Sequence, residues 1–301
     1  MTPLIALIAL ALDAAIGWPD AVYRRIGHPV TWLGRLIAAL DARLNVGRAR
    51  VARGAAASLL VIAAATIPAA ILQEALGGWI AGVLAWPLVA ARSLHDHVRA
   101  VATPLLAGDL AAARRATAMT VGRDVSRADE AGLARASIES LAENASDGVI
   151  APLFWALLAG LPGIAAYKAI NTLDSMIGHR TERHGEFGRI AARLDDVANW
   201  LPARLTAVLI ATVCGGAAWA VARRDAGAHR SPNAGWPEAA MAGALGVRLS
   251  GPRVYADRIA DEPWLNAAAR DPAVADIDRA LAVYRRTLWL MAGGLILLVL
   301  V

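Results

Sequence analysis

The residues best placed to do chemistry lie in two stretches. The first is Glu139-Ser140-Leu141-Ala142-Glu143-Asn144-Ala145-Ser146-Asp147-Gly148, directly before an apolar segment. On a helix Glu139, Glu143 and Asp147 recur at i, i+4 and i+8, so the three carboxylates share one face. Asn144 and Ser140 fall on a neighbouring face. Like charges at this spacing repel, so the ladder calls for Mg2+, an arginine cluster or an amine. Carboxylate oxygens are hard ligands of the kind Mg2+ takes. The plainer alternative is a solvated acidic face at a membrane entry.

The second stretch begins at Lys168 and places Asn171, Asp174 and Gly178 on one helical stripe. Arg180, Arg183 and His184 follow, then Asp195, Asp196 and Asn199, with Asp195 and Asn199 again at i, i+4. Acids that can hold Mg2+ are thus interleaved with Lys168, Arg180 and Arg183, which can hold phosphate or carboxylate. That mixture serves phosphoryl chemistry, where catalysis is mostly positioning and charge neutralisation. The structural alternative is a set of interhelical ion pairs. His179 and His184 do not form an H-x-x-H or H-E-x-x-H pair, so zinc is not indicated. Asp13 lies deep in an apolar segment, where an acid is costly unless paired and usually functional. His28-Pro29 reads as a structural turn that could also bind, and Ser231-Pro232-Asn233 marks a turn-rich stretch.

The elements that carry these residues belong to a membrane. Hydrophobic residues make up 57% and charged residues 18% of 301, against about 45–50% and about 25% in soluble domains. The mean hydropathy is +0.48. Gly54–Gln73, Ala75–Ala91, Gly148–Tyr167, Leu205–Ala222 and Thr287–Val301 carry no charge over 20, 17, 20, 18 and 15 residues. A bilayer span needs about 20. Met1–Trp18 is apolar apart from Asp13 and lacks a basic leader region, so it reads as a further membrane helix. No segment alternates as a strand does. The predicted fold is all-α: one polytopic integral membrane domain over 1–301, with about five hydrophobic segments, an N-terminal apolar helix and helical polar loops. A hairpin tip is expected around Gln73, Glu74 and Gly77-Gly78. Pro152, Gly160, Pro162 and Gly163 leave Gly148–Tyr167 open between a plain span and a re-entrant helix.

Several classes are excluded. The one cysteine, Cys214, gives no disulfide framework. Lys168 is the only lysine and Ala169 follows it, so there is no Walker A motif, and no G-x-G-x-x-G occurs. The basic balance sits beside apolar runs, which fits membrane orientation rather than nucleic acid.

Taken together, the motifs resemble the CobD/CbiB family of cobalamin biosynthesis. The matching residues are Leu12-Asp13, Gly17-Trp18-Pro19, His28-Pro29-Val30 with Gly34, and Glu139 through Pro152. They continue in Asn171 through Gly178, Phe187-Gly188, Ala192 through Asp196, Pro202 through Leu205, Ser231 through Gly235, Ala242 through Gly246, Gly251 and Tyr255. The order holds over nearly the whole chain.

The resemblance implies a multi-pass enzyme of the bacterial inner membrane, an adenosylcobinamide-phosphate synthase. It would join aminopropanol, usually as its phosphate, to a carboxylate of adenosylcobyric acid, with ATP as co-substrate and Mg2+. On that reading Glu143, Asp147 and Asp174 serve Mg2+ or the incoming ammonium, and Arg180 and Lys168 hold phosphate. Asp195 or Asp196 acts as base or second metal ligand. Asn144, Asn171 and Asn233 orient an amide-rimmed corrinoid, with Asp13, His28 and Ser231 as further substrate contacts. The partners implied are the corrinoid, the aminopropanol phosphate and the bilayer, with a homo-oligomer or a complex with later cobalamin enzymes as the assembly. The rival is a non-catalytic membrane sensor or corrinoid-binding scaffold resembling AmpE. A transporter fits less well, because the polar motifs flank the apolar runs.

Overall fold

A computed structural model describes residues 1–122, 124–254 and 259–301. Its helices run in the order α1 (Thr2–Ile16), α2 (Asp20–Ile26), α3 (Pro29–Leu44), α4 (Arg50–Ala85), α5 (Ala91–Leu106), α6 (Leu110–Ala118) and α7 (Glu130–Ala145). A π-turn at Ser146–Ile150 leads into α8 (Ala151–Ile177), followed by α9 (Arg189–Ala198), α10 (Trp200–Cys214), α11 (Gly216–Asp225), α12 (Gly235–Leu245) and α13 (Val274–Leu300). The chain divides into two compact units, each discontinuous in sequence: 1–91 with 151–199 and 294–301, and 92–150 with 200–293.

In the first unit α3, α4, α8 and α9 share a core of Ile37, Ala57, Val61, Leu173, Ile177, Phe187 and Ala191. A second cluster joins Ala151, Tyr167 and Ala198 with Trp155 and Ile170. The expected hairpin tip is found as a kink: Gly77, with φ 75 and ψ 173, interrupts α4. Gly160, with φ 66 and ψ −145, breaks α8 at the head of its Gly-Leu-Pro-Gly stretch, and Gln73 Oε1 accepts the Leu161 N–H at 2.7 Å. The backbone donor freed by the break is thereby satisfied inside the protein, as irregular structure at membrane depth demands.

In the second unit Asp109 caps α6 by accepting the Ala112 N–H at 2.8 Å, and Asp129 caps α7 by accepting the Gly132 N–H at 2.8 Å. The turn-rich segment after α12 holds two short antiparallel ladders that sequence patterning does not reveal. Leu249–Ser250 pairs with Trp264–Leu265, and Arg253–Val254 with Ile259–Ala260.

Among the described residues four helical stretches are long and apolar enough to cross a membrane: Arg50–Leu106, Glu130–Ile177, Arg189–Cys214 and Val274–Leu300. A fifth is possible if Thr2–Ile16 and Asp20–Leu44, bent by 111°, count together. Large apolar side chains point outward along them, Leu59, Ile67, Ile71, Leu297 and Trp79 among them. A helix that is apolar on its outer as well as its inner face suits lipid as its solvent. Trp79, Trp200 and Trp289 are exposed, in keeping with interfacial aromatic residues.

Candidate functional site

The richest polar assembly is built by α8, α9 and the turn between them. Asp195 is oriented by two amides: Asn199 Nδ2 donates to its Oδ2 at 3.0 Å and Asn171 Nδ2 to its Oδ1 at 3.5 Å. Asn199 is itself buried, and its Oδ1 accepts the Tyr167 hydroxyl at 2.8 Å. The i, i+4 pairing of Asp195 and Asn199 read from the sequence is present, and Tyr167 is an anchor that it did not disclose. Asp174 and Asp196 both act electrostatically on Asp195, while His179 acts on Asp174 and Arg180 on Asp196. The three aspartates of the second stretch therefore form one interacting group.

Glycines allow this crowding. Gly178 caps the end of α8, its N–H donating to Asp174 O at 2.8 Å, and a Cβ there would strike Asp174 Oδ1. At Gly188, a Cβ would run into the Ile177 carbonyl oxygen. Only a residue without a side chain lets the 178–188 turn fold back so closely.

On the turn's outer side is a cavity of about 580 Å3 lined by Gly178, Arg180, Thr181, Gly185, Arg189, Ala192, Arg193 and Asp196. Arg180 was expected here; Arg193 belongs to a quoted motif but carried no assigned role, and Arg189, one turn before it, was not singled out. Arg183 proves different from Arg180. Its Nε and Nη2 donate to Asp41 Oδ2 at 3.2 and 2.6 Å, and His184 Nε2 lies 3.4 Å from Asp41 Oδ1. Arg183 is thus occupied by a carboxylate from α3.

Also in this unit, Asp13 is 3% and Lys168 9% exposed, so both are buried as ionisable groups. Lys168 acts electrostatically on His28. His28 has a structural task as well. Its Nδ1 accepts the Val30 N–H and Thr31 Oγ1 accepts the His28 N–H, both at 3.2 Å, which closes a capping box on α3. The Trp18 ring meets His28 edge-on, with centroids 5.3 Å apart, so the two N-terminal motifs pack together.

The remaining candidates stand in the second unit. Glu143 is exposed and Asp147 half-buried in the π-turn. Glu139 is buried, and its Oε1 accepts the Ser250 N–H at 2.6 Å. The expected ladder is therefore split, its first rung holding a strand. Asn144 Nδ2 donates to Ser140 O at 2.9 Å. Ser231 Oγ accepts the N–H groups of Asn233 and Ala234 at 3.2 and 3.1 Å and so shapes the turn into α12. Asn233 Oδ1 accepts from Arg204 Nη1 at 3.4 Å, and the Arg204 guanidinium lies over Trp200 and Trp236 at 4.3 and 4.9 Å. Tyr255 falls outside the described residues.

Among the described residues no three His, Cys, Asp or Glu side chains are grouped to hold a metal ion. Mg2+ commonly takes one or two carboxylates and fills its shell with water and substrate phosphate oxygens. Aspartates beside an arginine-lined cavity fit that mode of binding.

The family described as CobD/Cbib protein matches residues 6–284. A protein named Cobalamin biosynthesis protein CobD from Rhodobacter capsulatus is 61% identical over 295 residues, covering 95% of this chain and 93% of that protein. Proteins of the same name from Sinorhizobium fredii and Rhizobium meliloti are 45% and 47% identical, covering 99% and 93% of this chain and 97% and 92% of theirs. No solved structure matches the chain. With nearly the full length aligned, the chain belongs to the CobD/CbiB family.

Proposed function

We propose that this protein acts in cobalamin biosynthesis as an amide-forming ligase of the inner membrane, joining aminopropanol or its phosphate ester to a carboxylate of adenosylcobyric acid. The observation that carries this reading is the juxtaposition of interacting Asp174, Asp195 and Asp196 with a cavity rimmed by Arg180, Arg189 and Arg193. An amine cannot displace oxide from a carboxylate, so one carboxylate oxygen must first become a leaving group. ATP supplies it: the terminal phosphoryl passes to the carboxylate, ADP departs, and the amine then expels phosphate as the C–N bond forms.

Each step asks something of this chain. Arginines offer planar, doubly donating contacts to phosphate oxygens, a role given to Arg180 alongside Lys168. The amine must lose a proton to attack, and Asp195, with both carboxylate oxygens held by amides, is positioned as that base. Asp196 is its alternative. Asp174 is assigned to Mg2+ or to the incoming ammonium, a role the motif resemblance also gives Glu143 and Asp147, and Mg2+ would shield phosphate charge when bound. The amides of Asn144, Asn171 and Asn233, together with Ser231, Asp13 and His28, are assigned to substrate binding, a set whose polar groups suit an amide-rich corrinoid.

The test is amide formation by purified protein in nanodiscs supplied with adenosylcobyric acid, aminopropanol phosphate, Mg2+ and ATP, each omitted in turn. Product that needs all four is expected, and Asp147→Asn and Asp174→Asn should each abolish most of it. Wild-type rates in both variants would sink the metal assignment. Corrinoid binding without turnover would favour a scaffold.

A further inference from the structure

We infer that the cavity on the outer side of the 178–188 turn is the nucleotide's polyphosphate site, held by Arg180, Arg189 and Arg193. The chain carries neither a Walker A motif nor a G-x-G-x-x-G loop, and arginine side chains are the phosphate donors that this cavity offers. Arg189 and Arg193 lie one turn apart at the start of α9, and Arg180 faces them from the turn. Among the described residues none of the three guanidinia makes a side-chain hydrogen bond or a close ion pair, although Arg180 acts electrostatically on Asp196, the one carboxylate in the cavity lining. Arg183 shows the contrast, since Asp41 engages it. Three guanidinia drawn into one concavity with a single acid repel each other unless an anion enters.

The shape of that anion follows from the donors. A guanidinium engages two oxygens at once, so three of them exceed what one terminal phosphate needs and match a chain of phosphates. The N-terminal end of α9 adds its positive dipole at the same place. A volume of about 580 Å3 lies within the roughly 300–1,000 Å3 of small-molecule sites. The adjoining Asp196 and Asp174 can share Mg2+ with phosphate oxygens. The choice of ATP as the source of the polyphosphate rests on the ligase reading above.

The experiment measures equilibrium binding of labelled ATP to the full-length protein in zwitterionic nanodiscs, without corrinoid, with inorganic triphosphate as competitor. Wild type should bind ATP, and inorganic triphosphate should displace it. Arg193→Ala should weaken binding about 10- to 100-fold, as for one charge-assisted contact, and Arg189→Ala with Arg193→Ala further still. Arg193→Lys, which keeps the charge and loses the fork, should fall between. Melting temperature and elution profile confirm that each variant is folded. ATP affinity unchanged in the double variant would overturn the assignment. So would displacement of ATP by aminopropanol phosphate but not by triphosphate, which would give the cavity to the amine's ester. A large loss of ATP affinity in anionic nanodiscs would give it to a lipid headgroup. Failure of amide formation with ATP binding intact and arginine-dependent would sink the ligase reading alone. Amide formation by the double variant at the wild-type KM for ATP would sink this inference alone.

Discussion

Removing one hydroxyl tests whether Asp195 is held for catalysis. Tyr167→Phe deletes the donor to Asn199 Oδ1, a bond of 2.8 Å between two side chains that are each about 1% exposed. The orphaned carbonyl has no route to water, so the cost is that of an unsatisfied buried acceptor, about 1–3 kcal/mol. Part of this appears as a lower melting temperature. The rest appears at Asp195, because Asn199 can turn to find another partner and withdraw the Nδ2 that holds Oδ2 at 3.0 Å. If about 1.4 kcal/mol of orientation is lost in the transition state, kcat falls roughly tenfold, with KM for ATP little changed. The double variant Tyr167→Phe with Asn199→Leu separates the two effects. Removing both partners takes away the orphaned carbonyl but leaves Asp195 Oδ2 without its donor, so stability recovers only in part toward wild type, while kcat stays low. Steady-state amide synthesis and thermal melts on the three proteins decide it. A double variant that recovers both stability and kcat would refute the claim that Asn199 positions Asp195 for proton transfer.

Three further outcomes are expected. Arg248 Nε and Nη2 donate to Asp271 at 2.9 and 2.7 Å, and Arg135 joins them, so these guanidinia hold the Asp271 carboxyl at about 2 instead of 3.8. Its stabilisation is full above pH 4 and is lost as pH falls toward 2. With the side chain 38% exposed, screening limits it to about 1 kcal/mol, seen as a drop in melting temperature between pH 5 and 2.5 that Asp271→Asn removes. Gly188→Ala forces a methyl into the Ile177 carbonyl oxygen; a loss of about 3 kcal/mol and poor membrane yield are expected, and a wild-type melt would contradict the close approach. Glu139→Gln keeps an acceptor for the Ser250 N–H and should leave stability within about 1 kcal/mol of wild type, whereas Glu139→Leu orphans that buried donor and should cost about 1–3 kcal/mol.

What the sequence discloses depends on how far apart the partners are. Charge-free runs of 15 to 20 residues announce membrane helices because composition alone decides them. The Pro-Gly cluster around Gly160 likewise pointed to a broken helix, since backbone chemistry acts locally. Asp195 with Asn199 was legible at i, i+4. Tyr167 was not, being 32 residues from Asn199, and no periodicity links α8 to α9. The sorting of arginines was hidden for the same reason. Arg180 and Arg183 look alike in sequence, yet Asp41, 142 residues away, engages only one. The acid ladder misled in part because helical spacing reports direction and not depth. Glu139 shares a face with Glu143 on paper, but it is buried against a two-residue strand too short to leave an alternating pattern. His28 and Ser231 carry the opposite lesson, since residues quoted for binding also do local capping work that their neighbours Thr31, Pro29 and Ala234 had already specified.

That sorting is also what favours chemistry over simple structural pairing. If charge existed in the 168–199 stretch only to hold helices together, its acids and bases would neutralise one another at close range. Some do: Arg183 and Asp41 form such a pair. Others are less closely paired: Arg180 acts on Asp196 and His179 on Asp174 only electrostatically. Asp195 is satisfied by amides, which orient a carboxylate without supplying positive charge. Arg180, Arg189 and Arg193 open onto a cavity containing one acid. An amide-satisfied carboxylate and an arginine-lined cavity stand side by side here, and glycines at 178 and 188 are needed for the turn between them to fold so closely. A reaction that must bind phosphate and remove a proton from an amine at neighbouring points needs this segregation, and a structural ion-pair network does not.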